Sequence, residues 1–99
     1  PLMSIGAKGV ISVLSNIMPA ETHNLCELCL EGNIVEAGKK QLCLFKLVKA
    51  LFSEVNPIPV KTAMNLMGLN AGKLRLPLYE MEEKNLEFLK SEMKKFNLI

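Results

Sequence analysis

The chain has 99 residues, of which 49% are hydrophobic, so it forms one domain or part of one. Its twelve basic and ten acidic residues alternate along the sequence and leave a net charge of only +2, which argues against nucleic-acid binding. No apolar run approaches the roughly 18 residues that span a membrane, and the odd number of cysteines, three, favours a reduced, cytoplasmic setting over a disulfide framework.

The first predicted elements are a helix end and one buried strand. Residues 2–5 followed by Gly6 are typical of a last helical turn with its glycine cap. Residues 9–14 are an almost continuous run of apolar, mostly β-branched side chains, as in a strand that is buried on both faces. No second strand follows, although a buried strand must pair its N–H and C=O groups. We therefore expect Pro1 to be a cut point and the missing strands to lie on absent chain or on another molecule.

Two helices are predicted after the strand. The first begins at Pro19, whose missing N–H costs nothing in a first turn, and continues to about Glu31. Asn33 and Glu36 form an Asn-x-x-Glu capping box for the second, which continues to about Phe52. The apolar positions that we expect to face inward recur at helical spacing: Leu25, Leu28, Cys29, Ile34, Ala37, Leu44, Phe45, Val48, Leu51 and Phe52.

Two further helices are predicted in the second half of the chain. The third begins in the Asn-Pro-Ile-Pro segment, where Asn56 can cap it and both prolines fit the first turn, and it ends at Gly68. Residues 74–78 are extended because a residue before proline avoids the helical region, and a short edge strand is the alternative. The fourth helix covers about residues 82–96, with lysines at its carboxyl end, where the helix dipole favours cations.

One set of residues has the spacing of a metal or redox site, namely His23, Cys26 and Cys29. A structural zinc ion needs four ligands, and Cys43 is the only further cysteine in the chain. We expect no metal here, and we expect the cysteines to fill small gaps in the core, as buried free cysteines do.

No catalytic group is predicted in the chain. Lys8 precedes the strand, at the end opposite to that used by barrel enzymes, and Lys61 lies in a first helical turn. Ser12 and Ser15 have no neighbouring histidine, so a hydrolase triad is not supported. From the residues alone, the chain is the last strand–helix unit of an α/β fold followed by a helical tail.

Four segments, in order, resemble the C-terminal third of the dihydrodipicolinate synthase family. They are Gly9-Val10-Ile11-Ser12-Val13 with Ser15-Asn16, Asn56-Pro57-Ile58-Pro59-Val60-Lys61, Gly68-Leu69, and Leu74-Arg75-Leu76-Pro77-Leu78. The second and fourth together favour this family over relatives such as N-acetylneuraminate lyase. The resemblance implies an α/β parent fold, the (β/α)8 TIM barrel, of which this mainly α-helical chain would hold the last strand and helix (residues 1–32) and a three-helix C-terminal domain (residues 33–99).

The resemblance also implies a function. Family members are lyases that condense pyruvate with aspartate semialdehyde in lysine and diaminopimelate biosynthesis, through a Schiff base on a lysine of the sixth strand, which would lie upstream of this chain. Of the substrate-contacting positions only Ile11 maps here, with its backbone beside the bound pyruvate. The chain would hold no catalytic residue and no cofactor, and it would be inactive alone. Expected partners are the remainder of the barrel, the two substrates and further copies in a cytoplasmic homo-oligomer.

Three alternatives stay open. The chain could be a non-catalytic helical module that binds a partner or itself through exposed apolar faces. It could belong to another pyruvate-dependent aldolase of the N-acetylneuraminate lyase superfamily. The weakest alternative is a metal or thiol protein built on His23, Cys26 and Cys29. For the strand itself, we expect pairing with a second copy or with a complementary chain, because its apolar side chains disfavour exposure to solvent.

Overall fold

The computed structural model describes all 99 residues and is entirely helical, with no β-strand. Its four α-helices are α1 (Pro19–Leu30), α2 (Ile34–Leu51), α3 (Ile58–Leu66) and α4 (Glu83–Lys95), and two short 3₁₀ turns, Met3–Ile5 and Leu14–Asn16, precede them. The residues divide into two compact units, Pro1–Phe45 and Lys46–Ile99, and α2 contributes to both. None of the helices combines the length and the apolar character that crossing a membrane would need.

The predicted strand over residues 9–14 is wrong for this chain. None of the N–H groups of residues 8–13 donates a backbone hydrogen bond, Val10 is exposed, and Ile11 is fully exposed. Leu14 is buried, but in a 3₁₀ turn where the Ser15 hydroxyl donates to the carbonyl oxygen of Ser12 at 2.7 Å. The reason is physical, since a strand exists only as part of a ladder and this chain supplies no second strand.

The first unit is built on α1. Pro19 is at its start, as predicted, and Gly32 follows its end with a φ of +80°, which only glycine adopts readily. Helix α1 packs against both 3₁₀ turns, and the Lys40 ammonium of α2 pairs with the Glu21 carboxylate of α1. Leu14 and Ile17 are the buried apolar residues that precede it.

The capping predictions have mixed outcomes. Asn33 Oδ1 accepts a hydrogen bond from the Glu36 N–H at 3.4 Å, so the predicted cap of α2 is confirmed. The Glu36 carboxylate does not turn back as a capping box requires, because it pairs with Lys39 Nζ at 2.7 Å. Asn56 does not cap α3, because Pro57 occupies the position directly before that helix, which has no side-chain cap.

The second unit has its buried residues on three helices. The side chains with no exposed surface are Leu47, Ala50 and Leu51 of α2, Ala63 of α3, and Leu89 and Met93 of α4. Helix α3 packs directly against α4. The predicted inward positions Ile34, Phe45 and Phe52 are exposed, whereas Leu47, which the pattern did not include, is fully buried. The predicted face of α2 was therefore too wide and partly misplaced.

The possible edge strand over residues 74–78 is also absent. Residues 69–82 connect α3 to α4 without regular structure. The Leu78 N–H donates to the Arg75 carbonyl oxygen at 3.0 Å, which closes a local turn. This connection follows the surface of α3 and forms the wall of the groove described below.

Candidate functional site

Ile11, the one predicted substrate-contacting residue, lies in the exposed stretch before the second 3₁₀ turn. Its N–H donates no backbone hydrogen bond, and its side chain has no cover. The next residue, Ser12, is hydrogen-bonded to Ser15, whose N–H donates to Ser12 Oγ at 3.2 Å. The role of Ile11 beside a bound substrate therefore stays a prediction.

The two lysines that could have formed a Schiff base have different surroundings. Lys8 is exposed and forms no hydrogen bond or ion pair through its side chain. Lys61 Nζ donates to the carbonyl oxygen of Lys73 at 2.6 Å, so its ammonium is engaged in holding the chain. Neither lysine forms a contact with a side chain that could accept a proton from it and so activate it as a nucleophile.

The cysteine-containing segment of α1 does not form a cluster. Cys26 and Cys29 are half-buried, and His23 and Cys43 are exposed. No three histidine, cysteine or acidic side chains come together in an arrangement that could hold a metal ion. The expectation that the cysteines fill core gaps is thus met only in part, because none of the three is fully buried.

A groove in the second unit was not predicted from the sequence. It has a volume of about 390 Å³ and lies between α3 and the connection to α4. Lys61 and Asn65 of α3 form one wall, and Lys73, Tyr79 and Glu80 of the connection form the other. The only sequence signal for it was that an extended, leucine-rich segment follows an amphipathic helix at a short distance.

Glu54 is a second feature that sequence reasoning missed. Its Oε1 accepts two hydrogen bonds of 2.9 Å, one from the Glu82 N–H and one from Asn85 Nδ2. Glu82 is the N-cap of α4, and its side chain forms no capping hydrogen bond. The acceptor for the Glu82 N–H is instead the carboxylate of a residue 28 positions earlier. No local pattern signals such a contact.

Lys90 has the one clearly shifted pKa in the chain. Its Nζ donates to Glu87 Oε1 at 2.9 Å, and this hydrogen bond raises the pKa of Lys90 above the ordinary value of 10.5. Desolvation opposes the rise in pKa, and the negative charges of Glu87 and Glu83 add to it. Lys90 lines a second groove of about 480 Å³ beside Leu66.

Comparison with known proteins gives one consistent result over the whole chain. The model of the dihydrodipicolinate synthetase family matches residues 1–96. The 4-hydroxy-tetrahydrodipicolinate synthase of Acetivibrio thermocellus is 58% identical over 99 residues, which are 100% of this chain and 34% of that relative. The crystal structure of dihydrodipicolinate synthase from Aquifex aeolicus superimposes with a TM-score of 0.95 at 47% identity, over 99% of this chain and 33% of that one.

A further solved dihydrodipicolinate synthase superimposes with a TM-score of 0.97 at 48% identity and covers all of this chain and 34% of its own. The chain therefore spans about a third of the length of the relatives it matches. Both superpositions extend over the helices described above.

Proposed function

This chain belongs to the dihydrodipicolinate synthetase family, and we propose that it supplies the last strand and helix (residues 1–32) and the C-terminal helical domain (residues 33–99) of a (β/α)8 lyase that condenses pyruvate with aspartate semialdehyde. The observation that carries the proposal is 58% identity across every residue of the chain to a protein of that activity by name. The catalytic residues of such an enzyme would lie in the two thirds of its relatives' length that this chain does not match.

The exposed segment before α1 supports this assignment. The N–H groups of residues 8–13 donate no backbone hydrogen bond, and the apolar side chains of Val10 and Ile11 are exposed. Both features suit a strand that completes its ladder with neighbours from the rest of a barrel. In that setting the backbone of Ile11 would lie at the carboxyl end of a parallel strand, where barrel enzymes bind their substrates. Ile11 would lie with its backbone beside the bound pyruvate.

The chain alone would be inactive, since it offers no lysine suited to form the Schiff base. Lys61 Nζ already donates to the Lys73 carbonyl oxygen at 2.6 Å, and Lys8 lies exposed at the surface. A lysine that forms a Schiff base must present a free amine to the carbonyl carbon of its substrate, and no enclosed site of this chain holds either lysine in that way. The reactive lysine would come from the remainder of the protein.

A chimera tests the proposal. The part of the Acetivibrio thermocellus relative outside the matched third is fused ahead of residue 1 of this chain, and condensation of pyruvate with aspartate semialdehyde is measured. We expect activity, and we expect borohydride to trap pyruvate on the relative's part. A chimera that folds and traps pyruvate, yet does not condense the two substrates, would overturn the proposed role of this chain.

The isolated chain serves as the matched control. Its mass should be unchanged after treatment with pyruvate and borohydride, and an adduct on Lys8 or Lys61 would contradict the proposed inactivity. The same chimera, offered other aldehydes, separates this lyase from the other pyruvate-dependent aldolases of the N-acetylneuraminate lyase superfamily. Preference for a different aldehyde would move the assignment to that wider group.

A non-catalytic, self-associating module is the second candidate. It is favoured by the apolar side chains that the chain leaves exposed, among them Val10, Ile11, Val35 and Leu42. Such a density of exposed apolar side chains is typical of a surface that another chain covers. Size-exclusion mass of the 99-residue chain tests it directly, because a monomer at high concentration would exclude self-association.

A further inference from the structure

The connection between α3 and α4 is held to the protein in an unusual way. Across residues 70–81 the only backbone N–H that donates to another backbone group is that of Leu78, and its acceptor, the Arg75 carbonyl oxygen, lies within the same segment. The ladder and helix hydrogen bonds that fix regular elements are therefore missing. Whatever holds this segment in place must come from side chains.

Two side chains of α3 hold the first end of the segment. Lys61 Nζ donates to the Lys73 carbonyl oxygen at 2.6 Å, and Asn65 Nδ2 donates to the Gly72 carbonyl oxygen at 3.0 Å. The two donors are one helical turn apart, so they meet adjacent carbonyl groups of the segment from the same face of α3. Both contacts are exposed to solvent, which makes each of them inexpensive to break.

One carboxylate holds the second end. Glu54, in the turn between α2 and α3, accepts from the Glu82 N–H and from Asn85 Nδ2, each at 2.9 Å. Both ends have one charged partner, the Lys61 ammonium at the first and the Glu54 carboxylate at the second. The second end is the stronger fastening because one carboxylate oxygen accepts both of its hydrogen bonds and the one from Asn85 is partly buried. It fixes the point at which the segment becomes α4.

Between its ends the segment has little apolar cover. Leu74 and Leu78 are half-buried, whereas Leu76 and Tyr79 are largely exposed although they also line the groove. A segment with few buried contacts and few backbone hydrogen bonds belongs to the least stable part of a protein and opens locally.

We propose that residues 72–82 form a strap that opens and closes as one unit over the groove on α3, and that Glu54 is its principal fastening. Opening breaks the hydrogen bonds of Lys61 and Asn65 together. It also exposes the face of α3 that lines the groove opposite the strap. The strap is independent of the proposed condensation, because none of these residues is assigned to the substrates.

The rate of trypsin cleavage after Lys73 and Arg75 measures how often the strap opens, because both residues lie within it and far from Glu54 in the sequence. In the 99-residue chain, Glu54→Ala should increase the rate of cleavage after Lys73 and Arg75 by roughly tenfold, the loss expected for hydrogen bonds to a carboxylate. Glu54→Gln, whose amide oxygen can still accept, should restore much of the protection. An unchanged rate at Arg75 in Glu54→Ala would overturn the proposal.

Glu83→Ala is the matched control, because it removes a carboxylate from the same helix start without removing a hydrogen bond. Its cleavage rates should equal those of the parent chain. A rise as large as that of Glu54→Ala would show that the loss of a negative charge, and not the loss of hydrogen bonds, speeds cleavage, and would refute the proposed role of Glu54. Cleavage after Lys49 in α2 reports general unfolding. If it rises as much as cleavage in the strap, the strap does not open as a separate unit.

A second measurement uses the only tyrosine, Tyr79, which lies on the strap in a chain without tryptophan. Its fluorescence anisotropy should fall in Glu54→Ala and in Asn65→Ala, the variant at the opposite end. If each variant affected only its own end, with anisotropy unchanged in Asn65→Ala, the strap would not be one unit. The double variant should be more mobile than either single variant, because both contacts stabilise the same closed state and their losses add. A double variant no more mobile than Glu54→Ala would show that Asn65 does not hold the strap closed.

Discussion

Replacing Ile11 with proline separates the two states that residues 8–13 can have. In the isolated chain the Ile11 side chain is fully exposed and its N–H has no backbone acceptor, so the change should alter the free energy of unfolding by less than about 0.5 kcal/mol. In the chimera the same residue would lie in a central strand. There, proline removes an N–H from the ladder and leaves a buried carbonyl oxygen unpaired, at a cost of about 1–3 kcal/mol before any steric effect.

Thermal unfolding followed by circular dichroism measures both states. Ile11→Ala is the matched control, because it shortens the side chain and keeps the N–H, so the difference between the two variants isolates the backbone hydrogen bond. In the chimera, Ile11→Pro should unfold at a clearly lower temperature than Ile11→Ala. In the isolated monomer, both should unfold at the temperature of the parent chain.

Two results would refute this reasoning. Equal destabilisation of monomer and chimera would mean that residues 8–13 are already ordered in the single chain. No effect in either would mean that this segment is not a strand even in the larger protein. If Ile11→Pro instead lowers the oligomeric mass of the isolated chain in size exclusion, the segment pairs between copies, as its apolar composition led us to expect.

The remaining predictions concern the second unit and its charges. Leu89→Ala should destabilise the chain by about 2–5 kcal/mol because Leu89 is fully buried, whereas Leu42→Ala on exposed surface should cost less than about 0.5 kcal/mol in the same denaturant titration; equal losses would contradict the packing. Hydrogen exchange should protect the Leu89 amide more than that of Val10, and the reverse order would show that the unpaired segment is the more stable. The pKa of Lys90 is raised in the fold, so its pair with Glu87 stabilises below pH 10.5 and is lost as pH rises through the raised value; in an NMR titration Glu87→Gln should lower the pKa of Lys90, and an unchanged pKa would refute the pairing.

The helices were predictable because their ends carry local signals. Pro19 begins α1, Asn33 caps α2, and the glycines after α1 and α3 have positive φ values. Each signal acts over one helical turn, so it survives when the rest of a protein is absent. The strand does not depend on local signals alone, because each of its backbone hydrogen bonds needs a partner group on a second segment. A run such as residues 9–14 predicts what a segment does beside a neighbour, and here it has none.

The candidate site was less predictable for a related reason. Glu54 meets the start of α4 from 28 residues away, and no periodic pattern links positions at that separation. The groove beside Lys61 depends on how residues 72–80 follow α3, which is decided by side-chain contacts. The role of Ile11 came from resemblance to a family, and it stays a prediction, because no contact of Ile11 in this chain tests it.

The bare segment ahead of α1 also bears on the fate of the chain in a cell. An extended apolar stretch with free backbone groups, preceded by the cationic Lys8, is the kind of surface that chaperones hold and that proteases reach when it stays uncovered. Any strand or chain that covers this segment would remove it from both. Burial of residues 8–13 would then protect the whole chain against degradation, and not only add to its stability.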